Sequence, residues 1–202
     1  LFDLGIAGTN PSGDGIIDFS SGGLLALTIE AGTDAVELGS INLGDDGTTF
    51  RGLDFLNLVA DGDILWGNST VQVAGTIVAD AGGLLDLEAS TIQVTNRGEI
   101  DLSAGTRLEG GTAVVNPGAG TNTTGYLQMI SGGSIDLESG NFTVDADRVR
   151  PLVITAGTDL DFGSSVFDVF SLGTGGTKGL FITAGGDIDL GTMDLTFRDD
   201  IN

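Results

Sequence analysis

Apolar and polar residues alternate in short runs along most of this chain. Leu25, Leu27 and Ile29 alternate with polar or small residues, and Leu180 and Ile182 repeat the pattern far downstream. The runs are rich in Val, Ile, Leu, Phe and Thr, and a period of two in such residues predicts β-strands rather than helices. Leu and Ile should therefore face a core, whereas Asp, Thr and Gln should face water.

The runs belong to a repeated unit, which is clearest in two phrases near the C-terminus. These are "VITAGTDLDFG" at residues 153–163 and "FITAGGDIDLG" at residues 181–191. Related units begin at Gly23, Gly52, Gly75, Gly98, Gly125, Arg150 and Gly179. Their spacing averages 26 residues, with individual intervals of 23 to 29. Such a period is typical of repeat proteins, in which neighbouring units stack.

Each unit contains three runs in a fixed order. An alternating run ends at a small-residue corner such as Ala156-Gly157, and a second short run such as "DLDF" follows. A third run, such as "NFTV", comes next, and a variable loop closes the unit. This order predicts an all-β fold, a parallel β-solenoid of about 7–8 coils with about 26 residues and three short strands per coil. Right-handed crossovers predict a right-handed coil. A β-sandwich or antiparallel barrel would also give short strands with Gly turns, but its strands need not resemble one another.

The prediction treats residues 1–202 as a single solenoid array, with residues 1–22 as a first coil or entry segment. The chain starts at Leu1 with no basic-then-apolar leader, so we expect it to be a segment of a longer chain.

Composition narrows the classes of partner. The chain has 29 acidic and seven basic residues, for a formal net charge of −22. Nucleic acids and anionic lipid surfaces are not expected as partners, because both need Lys and Arg. The absence of Cys and His excludes disulfides and the usual zinc sites. No run of 18 apolar residues is present, so membrane insertion is not expected.

The phrases "ITAGGDIDLG", "VITAGTDLDFG" and "LQMISGGSIDLESG" resemble the repeats of the filamentous haemagglutinin family. These are large, repetitive bacterial secreted or surface proteins with right-handed β-helical shafts. The resemblance implies an extracellular or cell-surface location and a role in adhesion, biofilm or a structural fibre. The chain departs from the family in its longer, uneven turns and in lacking the secretion-directing N-terminal domain.

Acidic residues recur at two positions of the repeat. Aligning the units places Glu37, Asp86, Asp136, Asp161 and Asp189 near one outer column, with Asp34, Asp63, Asp159 and Asp187 at the neighbouring corner. The first column is interrupted by Leu65 and around Leu108. A groove for calcium or other cations is one interpretation. A solvated face that keeps the rod soluble is the favoured one, since like charges in a column repel.

A second candidate for calcium is "NPSGDGIID" at residues 10–18. Its polar residues match positions 1, 3, 5, 6 and 9 of a calcium-binding loop: Asn10, Ser12, Asp14, Gly15 and Asp18. The bidentate Glu of position 12 is missing, because Ser21 stands there. An ordinary Asn-Pro turn is the favoured alternative. No other cofactor, metal or catalytic residue is predicted.

Enzymatic activity is not expected, because the usual bases and nucleophiles are scarce. The chain has no His, its single lysine is Lys178, and its arginines are scattered. Trp66 and Tyr126 are candidates for stacking on sugars, although Trp66 aligns with core positions. Those core positions are Leu38, Leu87, Phe162 and Leu190, and the expected aromatic core stacks are Phe142, Phe167, Phe170, Phe181 and Phe197.

The sequence therefore predicts a structural or adhesive β-solenoid rod of a bacterial extracellular or cell-surface protein. Its expected partners are copies of itself or neighbouring repeats of the same chain, and host-surface or matrix glycans. Head-to-tail stacking would extend the rod into a filament. The alternative is a polysaccharide-binding or polysaccharide-cleaving β-helix, since stacked carboxylates can meet the spacing that glycosidases need.

Overall fold

The computed structural model describes residues 2–3, 16–18, 26–31, 41–42, 49–95, 98–117, 120–171 and 179–199. Every strand pairing among them is parallel. The strands are β1 (Phe2–Asp3), β2 (Ile16–Asp18), β3 (Ala26–Ala31), β4 (Ile41–Asn42), β5 (Thr49–Ala60), β6 (Ile64–Leu65), β7 (Thr70–Ala81), β8 (Leu84–Asp86), β9 (Thr91–Val94), β10 (Glu99–Ala104), β11 (Arg107–Glu109), β12 (Val114–Pro117), β13 (Gly120–Ser131), β14 (Ser134–Asp136), β15 (Asn141–Val149), β16 (Leu152–Ala156), β17 (Leu160–Asp161), β18 (Val166–Ser171), β19 (Leu180–Ala184), β20 (Ile188–Asp189) and β21 (Asp194–Asp199).

The strands line three faces of a parallel β-solenoid. The second face is an eight-stranded sheet in the order β1-β4-β6-β8-β11-β14-β17-β20. The other sheet holds both remaining faces. The first face is formed by β3, β10, β16, β19 and the C-terminal parts of β5, β7 and β13. The third face is formed by β2, β9, β12, β15, β18, β21 and the N-terminal parts of β5, β7 and β13. β5, β7 and β13 each run from the third face of one coil to the first face of the next.

Equivalent residues mark five turns of the coil. The last residue of the first face is Ala60, Ala81, Ala104, Ser131, Ala156 and Ala184 in successive coils. The 124 residues from Ala60 to Ala184 average about 25 per turn, which confirms the predicted class of fold. The predicted 7–8 coils exceed these five turns, because that count divided the whole chain by 26, whereas the five turns are counted from Ala60 and leave out the strands β1 to β4 that pair beneath it.

From the coil of Ala60 onward, all variation in coil length falls at the corner between the third and first faces. From the end of the first face to the start of the third face, each of these coils advances ten residues, from Ala60 to Thr70 as from Ala184 to Asp194. The coil before them is longer over the same stretch, because Ala31 pairs with Ala60 whereas Thr49 pairs with Thr70. Each residue in this stretch stacks on its equivalent one coil below, so an insertion would break the register. Insertions are tolerated at the third corner, which is where the sequence predicts the variable loops.

Alternation sorts the side chains between core and solvent as the sequence predicts. Val71, Ile92, Val115, Phe142 and Phe167 form one inward column of the third face, and each is fully buried. The rings of the last two stack with centroids 4.8 Å apart. Burying an unbroken column of this kind supplies the main stabilising term of the rod.

Five glycines form a ladder at the corner between the first and second faces: Gly82, Gly105, Gly132, Gly157 and Gly185. A Cβ on any of them would lie 2.0–2.5 Å from a backbone oxygen of the coil beneath. That is shorter than any real Cβ contact, so these five positions admit no side chain between closely stacked turns. Asp61 holds the equivalent position in the coil before Gly82. The sequence-based expectation of crowding here is confirmed.

Two aromatic predictions have opposite outcomes. Trp66 is fully buried in the core column, as predicted, together with Leu87 and Phe162. The prediction that Phe181 belongs to a core stack is wrong, since its side chain is 59% exposed on the outer side of β19. Its neighbours Leu180 and Ile182 pack against the core instead, and strand alternation puts Phe181 on the opposite side.

Of the other predicted core positions, Phe197 has an inward register, opposite Val169, but is 41% exposed in the last coil. The side chain of Phe170 and the whole of Leu38 lie outside the described residues.

Candidate functional site

The aspartate column on the second face caps the corner between the second and third faces. Backbone N–H groups two residues later donate to the Oδ1 atoms of four aspartates: Asp86 at 3.0 Å, Asp136 at 3.2 Å, Asp161 at 2.8 Å and Asp189 at 2.8 Å. The donors are Glu88, Glu138, Gly163 and Gly191, and all four have a left-handed backbone with φ between 44° and 55°. An Asp side chain that accepts from the backbone two residues on is an Asx turn, which stabilises such a corner.

These hydrogen bonds give the acidic column a structural role that neither the cation-binding nor the solvated-face interpretation included. Glu109 pairs with Asp86 on one side and with Asp136 on the other, so the column continues there through an acidic residue. The predicted interruption around Leu108 is therefore wrong. Leu108 is the buried, inward residue of the same strand. The interruption at Leu65 is confirmed, because Leu65 pairs with Asp86. The column therefore combines corner-capping aspartates with one further glutamate.

Arg107 places a positive charge on the second face. Its Nε lies 2.9 Å from Glu109 Oε1, and a terminal nitrogen lies 3.2 Å from Asp136 Oδ2. Burial raises the pKa of Glu109, and the neighbouring Arg107 partly offsets that rise. Asp86, Glu138 and Asp136 raise the pKa of Glu109 further by charge repulsion. Arg107 thus offsets part of the negative charge in the middle of the acidic column.

Aspartates at the first corner join one coil to the next. Asp63 Oδ1 accepts a hydrogen bond of 2.7 Å from the backbone N–H of Leu84, one coil further on. Asp159 Oδ1 accepts one of 2.9 Å from the backbone N–H of Asp187, again one coil further on. Both carboxylates therefore supplement the backbone ladder along the rod axis.

Metal ligation was an open interpretation for the acidic residues. Among the residues that the structure describes, no group of three or more Asp and Glu side chains could hold a metal ion. The loop at residues 10–18, the first-corner Asp34 and the column residue Glu37 lie outside the described side chains. The calcium interpretation of residues 10–18 therefore stays a prediction.

A cluster of polar side chains lies on the outer side of the first face. The Arg150 guanidinium lies 4.2 Å from the centroid of the Tyr126 ring and 3.5 Å from Glu99 Oε1. The Tyr126 hydroxyl donates to Gln128 Oε1, and Gln128 Nε2 donates to Asp101 Oδ1 over 3.0 Å. The four groups Arg150, Tyr126, Gln128 and Asp101 thus form one chain of contacts, which we call the first-face cluster together with Glu99.

Burial dominates the titration of the first-face cluster. It raises the pKa of Asp101, against the hydrogen bond from Gln128, and repulsion by Glu99 and Asp80 raises that pKa further. Burial also raises the pKa of Tyr126, as does the Asp101 charge, while Arg150 opposes the rise. No local pattern in the sequence predicts this cluster, because Arg150 meets Tyr126 and Glu99 only through the register of the coils.

The cluster bears on the two aromatics that were candidates for sugar stacking. Arg150 covers one side of the Tyr126 ring. Trp66 is fully buried and has no surface to offer to a sugar. The first-face cluster is therefore the place where a polar ligand would meet an aromatic ring and charges of both signs.

The last coil, residues 179–199, exposes side chains whose equivalents are buried in the coil before. Ile188, Leu190, Leu195 and Phe197 are 39–52% exposed, although each follows the inward register of its strand. Their equivalents one coil earlier, Leu160, Phe162, Phe167 and Val169, are at most 1% exposed. We call this surface the terminal coil face.

These sites sit on a protein of one structural class, the parallel β-solenoid. None of the described residues forms a helix that is long and apolar enough to cross a membrane. A comparison of the sequence with protein-family models, with curated proteins and with solved structures finds no match. The class of this protein is therefore defined by its fold.

Proposed function

We propose that this chain is a shaft segment of a structural and adhesive rod at the cell surface or outside the cell. The observation that carries the proposal is the use of the second-face aspartates. Asp86, Asp136, Asp161 and Asp189 each direct a carboxylate oxygen to their own backbone at a corner. This regular acidic column thus serves the corners of the coils, within each coil.

The mechanics of the rod follow from its hydrogen bonds. Inter-coil backbone bonds run along the axis, for example from Gly105 N to Ala81 O at 2.7 Å and from Gly132 N to Ala104 O at 2.8 Å. Pulling on the chain along the axis strains the bonds that join neighbouring coils, beginning with the coil to which the force is applied. The resemblance of the repeats to the filamentous haemagglutinin family supports the proposed location and the adhesive role.

Single-molecule stretching tests the proposed shaft. Releasing one coil of about 25 residues should lengthen the chain by about 90 Å, at roughly 3.6 Å per extended residue. We expect successive extensions near this length, because each coil contacts only its neighbours. Free extension without steps, or one step spanning the whole chain, would contradict a shaft built from separable coils.

The alternative function, polysaccharide binding or cleavage, is favoured by the first-face cluster alone, because that cluster combines an aromatic ring with Arg150, Glu99 and Asp101. Polygalacturonate, alginate and chondroitin sulfate should be incubated with the protein, and new reducing ends measured. We expect no turnover. Turnover that is lost in Asp101→Asn or Asp161→Asn but kept in the third-face control Asp194→Asn would replace the shaft proposal by an enzymatic one.

A further inference from the structure

We infer that an uncharged strip on the outer side of the third face binds a neutral, hydroxyl-rich polysaccharide. The inference rests on the proposed adhesive function, because it names the class of ligand that the rod holds and the surface that holds it. One outward column of the strip runs over β7, β9, β12 and β15 and consists of Thr70, Thr91, Val114 and Asn141. The column beside it consists of Gln72, Gln93 and Asn116. We call these seven residues the neutral face.

Strand alternation fixes the outward direction of the neutral face. Val71, Ile92 and Val115 lie between its two columns along the chain, and all three are fully buried. Because successive side chains of a strand point to opposite sides, the residues before and after these three point to solvent. Gln72 is accordingly exposed, and Val114 is 37% exposed. Equivalent residues of neighbouring coils lie about 4.8 Å apart, so hydroxyl and amide groups repeat along the rod.

The lack of charge on the neutral face is unexpected for this composition. The corner column that borders it is uncharged too, and its exposed residues are Asn68, Ala89, Thr112 and Ser139. The chain has 29 acidic and seven basic residues, and these avoid the core, so about one outward position in three should be charged. Eleven outward positions would then carry about four charges, whereas the neutral face and its bordering column carry none.

The charges around the neutral face disfavour an anionic ligand. Glu88 and Glu138 lie beyond the bordering corner column, and the acidic column of the second face follows with Asp86, Glu109 and Asp136. A carboxylated or sulfated polymer would be repelled by these carboxylates, and a cationic polymer would bind to them instead. An uncharged polymer is therefore the class of ligand that suits the neutral face.

The side chains of the neutral face match the hydroxyl groups of a sugar polymer. A Thr hydroxyl and a Gln or Asn amide each donate and accept hydrogen bonds, as a sugar hydroxyl does. Asn116 Oδ1 is buried and has no hydrogen-bond partner among the described residues. Such an acceptor costs free energy, and a sugar hydroxyl that donates to the Asn116 amide as it turns outward would relieve that cost. Val114, between Thr91 and Asn141, offers an apolar contact to the C–H groups of a sugar ring.

A second copy of the chain is the competing occupant, and the area of the neutral face argues against it. Four coils at about 4.8 Å each and about four residues of strand at about 3.3 Å each enclose roughly 250 Å². Two such faces would bury about 500 Å², well below the roughly 1,000 Å² of a specific protein interface. A polysaccharide does not need such an area at one place, because its repeated units bind at many points along one rod.

Affinity electrophoresis tests the inference, because the formal net charge of −22 drives the protein through a gel in which an uncharged polysaccharide stays behind. Native gels should contain hydroxyethylcellulose, dextran or galactomannan, one in each gel. We expect at least one of these polysaccharides to lower the mobility of the protein about twofold relative to a reference protein. Unchanged mobility in all three gels would overturn the inference.

A pair of variants locates the binding surface. Gln72→Ala combined with Gln93→Ala removes two amides of the neutral face and should restore the mobility seen without polysaccharide. Asn57→Ala is the matched control, because it removes a half-buried outward amide from the first face, and it should be retarded like the wild type. Equal retardation of the two variants would place the ligand elsewhere and overturn the inference.

A nuclear magnetic resonance titration of the wild-type protein avoids any effect of the variants on folding. Short oligomers of the retarding polysaccharide should shift the side-chain NH₂ signals of Gln72, Gln93 and Asn116. The side-chain NH₂ signal of Asn57 should stay in place. Shifts confined to Gln128 would place the sugar on the first-face cluster and overturn the inference.

Three controls test the excluded occupants. Tighter binding of alginate or chondroitin sulfate than of any neutral polysaccharide, measured by calorimetry, would contradict the charge argument. Binding of chitosan alone, lost in 500 mM NaCl, would assign the ligand to the acidic column. A dimer in sedimentation velocity that the double variant abolishes would make a second copy the occupant. Each of these results would overturn the inference.

Failure of this inference is distinguishable from failure of the proposed shaft. Stepwise extension in the stretching experiment without retardation in any gel would keep the shaft and discard the neutral polysaccharide as its ligand. Retardation that depends on Gln72 and Gln93, without stepwise extension, would keep the ligand and discard the shaft.

Discussion

Replacing Gly105 by alanine should destabilise the rod, because the glycine ladder leaves no room for a Cβ. The added carbon would lie 2.0 Å from Gly82 O and 2.8 Å from Gly82 C, both backbone atoms of the coil beneath. Real Cβ atoms essentially never come closer than 3.0 Å to another heavy atom, so the two coils must separate by about 1 Å or more at this corner. The neighbouring coil above also holds the corner, which limits sideways movement.

The cost follows from the hydrogen bonds at the same corner. A shift of about 1 Å lengthens the bonds from Gly105 N to Ala81 O, 2.7 Å, and from Thr106 N to Gly83 O, 3.1 Å, beyond hydrogen-bonding range. Losing two inter-coil backbone bonds costs about 1–3 kcal/mol each. Alanine recovers about 0.4–1 kcal/mol by restricting the unfolded chain. The net loss should be about 3 kcal/mol.

Urea unfolding measures this loss. With an m-value of about 3 kcal/mol/M, a loss of about 3 kcal/mol lowers the midpoint by about 1 M. Far-UV circular dichroism follows the whole rod, and the fluorescence of the buried Trp66 follows the early coils. Gly179→Ala is the control, because its Cβ would meet only the exposed Phe181 ring at 3.3 Å. Equal midpoints for Gly105→Ala, Gly179→Ala and the wild type would refute the close stacking of coils.

Four further substitutions should change stability in the same urea assay. Glu88→Gly and Glu138→Gly should each stabilise by up to about 1 kcal/mol, because glycine relieves a left-handed backbone at φ 44° and 47°; a lower midpoint would contradict this. Asp161→Ala should cost about 1 kcal/mol by removing the cap on Gly163 N, whereas Asp161→Asn should keep it. Asp101→Asn should stabilise the fold at pH 7, because burial raises the pKa of Asp101 and its charge opposes folding there. The advantage should vanish below pH 3.8, where Asp101 is neutral in both the folded and the unfolded chain. A difference in stability that stays constant with pH would contradict this reasoning.

The fold could be predicted from the sequence because its signals are local and repeated. Period-two alternation assigns Ile154 to the core and Thr155 to the surface without knowledge of any partner strand. Glycine after a small residue marks the first corner in the units from Gly82 to Gly185, since backbone approaches backbone there. Phe181 shows the limit: its residue type suggested the core, whereas the phase of its strand placed it outside.

The sites were harder to predict, because they depend on contacts between coils. The capping role of Asp161 and Asp189 had a local signal, an Asp two residues before a glycine, but Glu88 and Glu138 fill that glycine position elsewhere and hide it. The contact of Arg150 with Tyr126 had no such signal. The two residues lie on either side of a third corner whose length varies, so the sequence alone does not set their register.

The capping role explains how an acidic column persists in a rod whose neighbouring coils lie about 4.8 Å apart. Two unit charges at that spacing repel by about 0.9 kcal/mol in water, and salt reduces this further. A hydrogen bond from a backbone N–H to a charged acceptor contributes about 1.5–3 kcal/mol, so the cap on Gly163 by Asp161 outweighs the repulsion from one neighbouring coil.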